Sequence, residues 1–107
     1  MKLVQEIKKN ELLSSNWGIY ELTPEEAKKF GNKYALSQGV FTDLALKEFG
    51  ADKLLSRLKE YNYEGFFETQ KEAYLQVKLV EMKCKIDRLE YGIKDLIKSL
   101  DLKTPEW

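Results

Sequence analysis

The side chains able to do acid–base chemistry in this chain are carboxylates, lysines and six tyrosines, with a single cysteine beside them; histidine is absent. Without histidine, the Ser-His-Asp and Cys-His arrangements and most protein metal sites lose a necessary member. Glu25 and Glu26 stand side by side directly after Thr23-Pro24, where carboxylates meet the positive end of a helix rather than forming a catalytic pair. Glu68 and Glu72 are spaced i, i+4 and can share a metal across a helical bundle, but such sites usually add histidine, so a solvated helix face is the better reading. Cys84 falls on an apolar stripe between Val80 and Tyr91, as a packed thiol rather than a nucleophile. Gly31, Gly39, Gly50 and Gly65 are scattered singly and form no phosphate-cradling loop. The chain is therefore expected not to be an enzyme, with no catalytic residues, cofactor, metal or small-molecule substrate.

Composition narrows the partners further. The 18 basic and 18 acidic residues cancel, so no global field draws the chain to nucleic acid or an anionic membrane. Sixteen of the basic residues are lysine, and only Arg57 and Arg88 are arginine. Apolar residues at 43% support a packed core, while 34% charged residues keep the surface wet. No stretch approaches the roughly 20 apolar residues of a membrane span, and Met1 to Leu13 interleaves charges with its apolar residues instead of forming a signal core. A cytoplasmic protein is the expectation, and unpaired Cys84 suits a reducing compartment.

The elements that must position any binding surface read as helical. Leu3, Val4, Ile7 and Leu12 lie near helical spacing, which predicts an amphipathic helix over Met1 to Leu13. Trp17 to Leu22 is too short to classify between strand and extended loop. Thr23-Pro24-Glu25-Glu26 is a strong helix start, with Ala27, Phe30 and Tyr34 as the buried face. Thr42 or Asp43 caps a further helix ending at Gly50, and another is expected from about Asp52 to Tyr61. The fold class expected is all-α, with a helical head over residues 1–65 and one long helix with a short tail over residues 66–107.

That last helix carries the most information. Leu75, Leu79, Met82, Ile86, Leu89, Ile93, Leu96 and Leu100 recur with spacings of 4, 3, 4, 3, 4, 3 and 4, an unbroken heptad seam. With Leu79, Ile86, Ile93 and Leu100 at a and Leu75, Met82, Leu89 and Leu96 at d, two strands are favoured. In a parallel pair Lys85 and Glu90 attract, Lys78 and Lys83 repel, and Gly92 and Ile97 carry no charge, which leaves the orientation open. A helix over residues 67–100 is about 50 Å long, whereas a compact globule of this size is about 34 Å across, so the rod must project. A second stripe, Ala73, Val77, Val80, Cys84 and Tyr91, runs along roughly the opposite side and fades after Tyr91. The simplest packing docks the head on the first half of the rod and leaves the second half to pair with another copy. A homodimer, in coiled-coil or helical-bundle form, is the leading expectation for assembly.

Leu44-Ala45-Leu46-Lys47-Glu48-Phe49-Gly50-Ala51-Asp52-Lys53-Leu54-Leu55-Ser56-Arg57-Leu58-Lys59 resembles a bacterial helix-turn-helix. That resemblance implies a DNA-binding regulator in which Lys53, Ser56, Arg57 and Lys59 face DNA and the coiled coil sets half-site spacing. The turn between Gly50 and Leu54 is one residue short of that pattern, and Leu46 stands where alanine is expected.

The leading functional expectation is a non-enzymatic adapter or inhibitor that binds another protein, of the kind bacteria and their phages encode; the alternative is the DNA-binding regulator. Candidate partner contacts are Trp17, Tyr20, Tyr61, Tyr63 and Trp107, because large aromatics concentrate binding energy.

Overall fold

A computed structural model describes residues 1–99 and shows a mixed α/β protein, not an all-α one. Leu100 of the seam and Trp107 of the aromatic set lie outside the described residues. Four strands, β1 (Lys2–Ile7), β2 (Trp17–Glu21), β3 (Tyr34–Gln38) and β4 (Gly65–Phe67), form one antiparallel sheet in chain order. Between them come α1 (Pro24–Phe30), α2 (Asp43–Phe49) and α3 (Ala51–Ser56), and α4 (Gln70–Ser99) closes the described chain. The head is thus a sheet clad in helices rather than a helical cluster.

The helix expected at the N-terminus is strand β1. It pairs with β2, and its register jumps between Leu3, opposite Tyr20, and Gln5, opposite Ile19. Val4 is the extra residue of this bulge, and a bulge breaks the alternation by which a strand is recognised. Leu3 approaches Gly18 and Tyr20 on one face, while Val4 and Ile7 pack on the other.

Both faces of the sheet are covered, so the central strands bury successive residues on both sides, Trp17 to Tyr20 in β2 and Ala35 to Ser37 in β3. Trp17 and Ile19 of β2 and Leu36 of β3 point to one side, where they meet Ala73 and Val77 of α4 and Leu13 of the β1–β2 connection. Tyr20, Leu22 and Ala35 point to the other side, against Leu55 of α3 and Ala27 and Phe30 of α1. The phenyl rings of Phe30 and Phe66 stack at 4.9 Å, and those of Tyr20 and Phe41 at 5.2 Å. Burial raises the Tyr20 pKa, against a bond from the Phe41 N–H that its hydroxyl accepts at 2.8 Å.

The start of α1 follows the sequence closely. Thr23 caps it, with its hydroxyl accepting the Glu26 N–H and the Glu26 carboxylate accepting the Thr23 N–H, a reciprocal capping box. The helix stops at Gly31, whose φ of 82° is the left-handed conformation that lets the chain turn into β3. Tyr34 therefore belongs to a strand, although its spacing from Ala27 and Phe30 continues a helical face.

Candidate interaction surface

The 30 residues of α4 make a rod about 45 Å long, and the described molecule measures 60 × 26 × 20 Å with a radius of gyration of 18.3 Å. A compact chain of this length has a radius near 13 Å, so the rod overhangs the head. Its inner stripe is Ala73 and Val77, fully buried on the sheet, followed by half-buried Val80 and Cys84. Tyr91, further along the same stripe, is exposed. At about 100° per residue, the seam residues fall on the opposite side of the helix from Ala73 and Val77.

That outward placement leaves the seam uncovered. Leu75, Leu79, Met82, Ile86, Leu89, Ile93 and Leu96 are each between 52% and 60% exposed. Seven large apolar side chains in one continuous row form a patch of the kind that marks an interaction surface. Among the described residues, the polar contacts from the head reach along the flanks of the rod as far as Arg88. Asn10 donates to Glu81, Lys83 donates to the Tyr63 hydroxyl at 2.6 Å, and Arg88 donates to the carbonyl of Glu11.

Beside the seam lies an open groove of about 320 Å³, bounded by Tyr63, Leu79, Met82, Lys83 and Ile86. Tyr63 is set there with a φ of 66°, a left-handed conformation that costs a bulky residue about 1–2 kcal/mol. Three contacts fix it: its N–H donates to the carbonyl of Glu60, its carbonyl accepts from Gln76, and its hydroxyl accepts from Lys83. The bond to Tyr63 also holds the Lys83 ammonium above the usual lysine range. A hollow between Gln5, Gln70, Lys71 and Tyr74 offers amide, ammonium and phenol groups but no carboxylate for an acid–base pair.

Of the other aromatic candidates, Trp17 and Tyr20 are buried and belong to the core, not to a contact surface. Tyr61 is three-quarters exposed, with the Lys59 ammonium 5.5 Å from its ring. The residues of the DNA-binding alternative are brought together only in part. Lys53 and Arg57 converge on the Phe49 ring at 5.3 and 5.2 Å, while the Ser56 hydroxyl donates back to the carbonyl of Asp52. Asp52 itself pairs with Lys29 at 3.0 Å. Gly50 alone separates α2 from α3, where a helix-turn-helix has a turn of about three to four residues. With six residues, of which Leu54 and Leu55 are buried, α3 is a short packing helix.

Among the described residues no group of histidine, cysteine, aspartate and glutamate is placed to hold a metal, and no helix is long and apolar enough to cross a membrane. The surface that the fold sets apart is thus the outer face of a projecting helix. No protein-family model matches the chain, and neither a curated protein nor a solved structure matches it.

Proposed function

We propose that this chain is a non-enzymatic protein-binding protein that works as a homodimer joined through the outward face of α4, and that it acts by occupying or blocking another macromolecule. The observation that carries this reading is the uncovered heptad row from Leu75 to Leu96 on a helix whose opposite face packs on the sheet through Ala73 and Val77. A period of 3.5 residues is self-complementary, because a second copy of the same helix supplies the matching row of knobs and holes. Completing the burial of these half-exposed side chains in two copies is worth on the order of 12–24 kcal/mol, against about 4–15 kcal/mol for association. The midpoints leave about 8 kcal/mol, a dissociation constant near micromolar. Exposed Tyr61 is the aromatic candidate that stays available to a second kind of partner.

Sedimentation equilibrium on the full chain across about 0.1–100 µM, spanning that dissociation constant, tests the reading. A reversible monomer–dimer transition is expected, and monomer mass throughout would overturn it. Titration with mixed-sequence duplex DNA separates the alternative: tight, steeply salt-dependent binding weakened by Arg57→Ala would favour the regulator instead.

A further inference from the structure

The proposed pairing of α4 leaves open which way the two helices run, and the flanks of the seam carry that information. With Leu79 and Ile86 at a, the e flank holds Gln76, Lys83, Glu90 and Ile97, and the g flank holds Lys78, Lys85, Gly92 and Ser99. Resting on that self-association, we infer that the dimer is antiparallel, with each overhanging helix end lying along the partner's head-proximal half and Ile97 lying beside the partner's Gln76 at the head-proximal end of the groove that Tyr63 bounds.

Charge complementarity decides between the directions. In an antiparallel coil the e flanks face each other and so do the g flanks. The register that sets Leu79 against the partner's Leu96, Met82 against the partner's Ile93 and Ile86 against the partner's Leu89 brings Lys83 to the partner's Glu90, twice by symmetry. Lys78 then faces serine and Lys85 faces glycine, so no like charges meet. In the parallel arrangement e faces g: Lys85 meets the partner's Glu90, but Lys78 meets the partner's Lys83, and the two effects cancel. Sliding the antiparallel pair back by one heptad sets Lys83 against the partner's Lys83 and Lys85 against the partner's Lys85, which repel.

The groove points the same way. Tyr63 is tied to Gln76 and Lys83, both on the e flank, and the groove is lined by Leu79, Met82 and Ile86 beside it. Antiparallel pairing lays the partner's Ile97, the one large apolar residue of that flank, next to Gln76 at the head-proximal end of the groove, and the partner's Glu90 next to Lys83 within it. Parallel pairing presents lysines there instead, the partner's Lys71 and the partner's Lys78. It also leaves the overhang to pair only with its like and both grooves open.

A spin label at Lys71→Cys in a Cys84→Ser background reads the direction, with sedimentation of the same sample reading the assembly. Lys71 is exposed at the head end of α4. Antiparallel helices in the stated register place the two labels about 50 Å apart, and parallel helices within about 20 Å. A dimer with the long distance is expected. A dimer with the short distance overturns the antiparallel arrangement while leaving self-association standing, and a monomer overturns both. Lys83→Glu supplies a readout of opposite sign: it weakens an antiparallel dimer about fivefold or more by setting glutamate against the partner's Glu90, whereas it tightens a parallel one through the partner's Lys78. Adding Glu90→Lys to that variant restores the antiparallel dimer; failure to do so overturns the assigned register.

Discussion

Replacing Ile86 and Ile93 together by aspartate separates the two faces of α4. Both side chains are on the outward row, 56% and 58% exposed, so that exposed part, nearly three-fifths of each, is what a second copy can bury. Full burial of an isoleucine is worth about 1.5–3 kcal/mol, which makes the unfinished part about 0.9–1.7 kcal/mol per side chain. Four such side chains would meet in the proposed dimer, giving a loss of about 3–7 kcal/mol before any cost of bringing carboxylates into an apolar seam. At 1.4 kcal/mol per tenfold, the dissociation constant moves from near micromolar to roughly 0.1 mM or weaker. Neither residue touches the sheet-facing core, so the isolated monomer keeps its fold. Sedimentation velocity at about 20 µM, well above the near-micromolar dissociation constant, is expected to show dimer for the wild type and monomer for the variant, with the near-ultraviolet circular dichroism of Trp17 and Tyr20 unchanged. Equal masses for the two proteins, or loss of the tertiary signal in the variant, would refute the assignment of Ile86 and Ile93 to a dimer seam outside the fold.

Three further outcomes test the head. Thr23→Ala removes one half of the capping box at α1 and is expected to lower stability by about 0.5–2 kcal/mol in chemical denaturation. Gly18→Ala sets a methyl 2.9 Å from the Tyr20 ring and 3.3 Å from Leu3; because that ring is buried and stacked on Phe41, a loss of about 1–3 kcal/mol is expected in the same assay. The third site is Glu26, at the start of α1. Burial opposes its ionisation, but bonds from the Met1 ammonium at 2.9 Å and from Thr23 outweigh that and hold its carboxyl below the usual glutamate range. A depressed folded-state pKa means that its contribution is full above the ordinary range and fades as pH falls through the lowered value. Denaturation at pH 6 and pH 3 is therefore expected to show a smaller acid loss in Glu26→Gln, which keeps the capping geometry without the charge; an unchanged loss would remove Glu26 from the acid response.

The sequence was legible wherever one residue type commits the backbone. Thr23-Pro24 announces a cap and Gly31 and Gly50 end helices, while the row from Leu75 to Leu96 has a period too regular to belong to a strand. The strands were hidden for reasons visible in the fold. The bulge at Val4 gives β1 the spacing of a short helix, and β2 and β3 are covered on both sides, so neither shows the alternation of a half-solvated strand. Gly18 reads as a breaker but sits inside β2, where there is no room for a side chain. For Trp17 and Tyr20 the sequence leaves core and contact roles both open, and the covered sheet decides for the core. The groove was legible only in part: Tyr63 stood out as an aromatic, but its pairing with Gln76 and Lys83 depends on the turn before β4 folding back onto α4.

Amide hydrogen exchange in residues 89–99, followed as a function of protein concentration, asks directly whether a second copy covers the outward row. A solvated helix end of this length, with no tertiary cover, opens readily. Protection that is high above the micromolar range and disappears on dilution, while the amides of Ile19 and Leu36 in the sheet stay protected throughout, is the expected result. Exchange in residues 89–99 that is equally fast at every concentration would show that the row stays bare, and the homodimer would have to be abandoned.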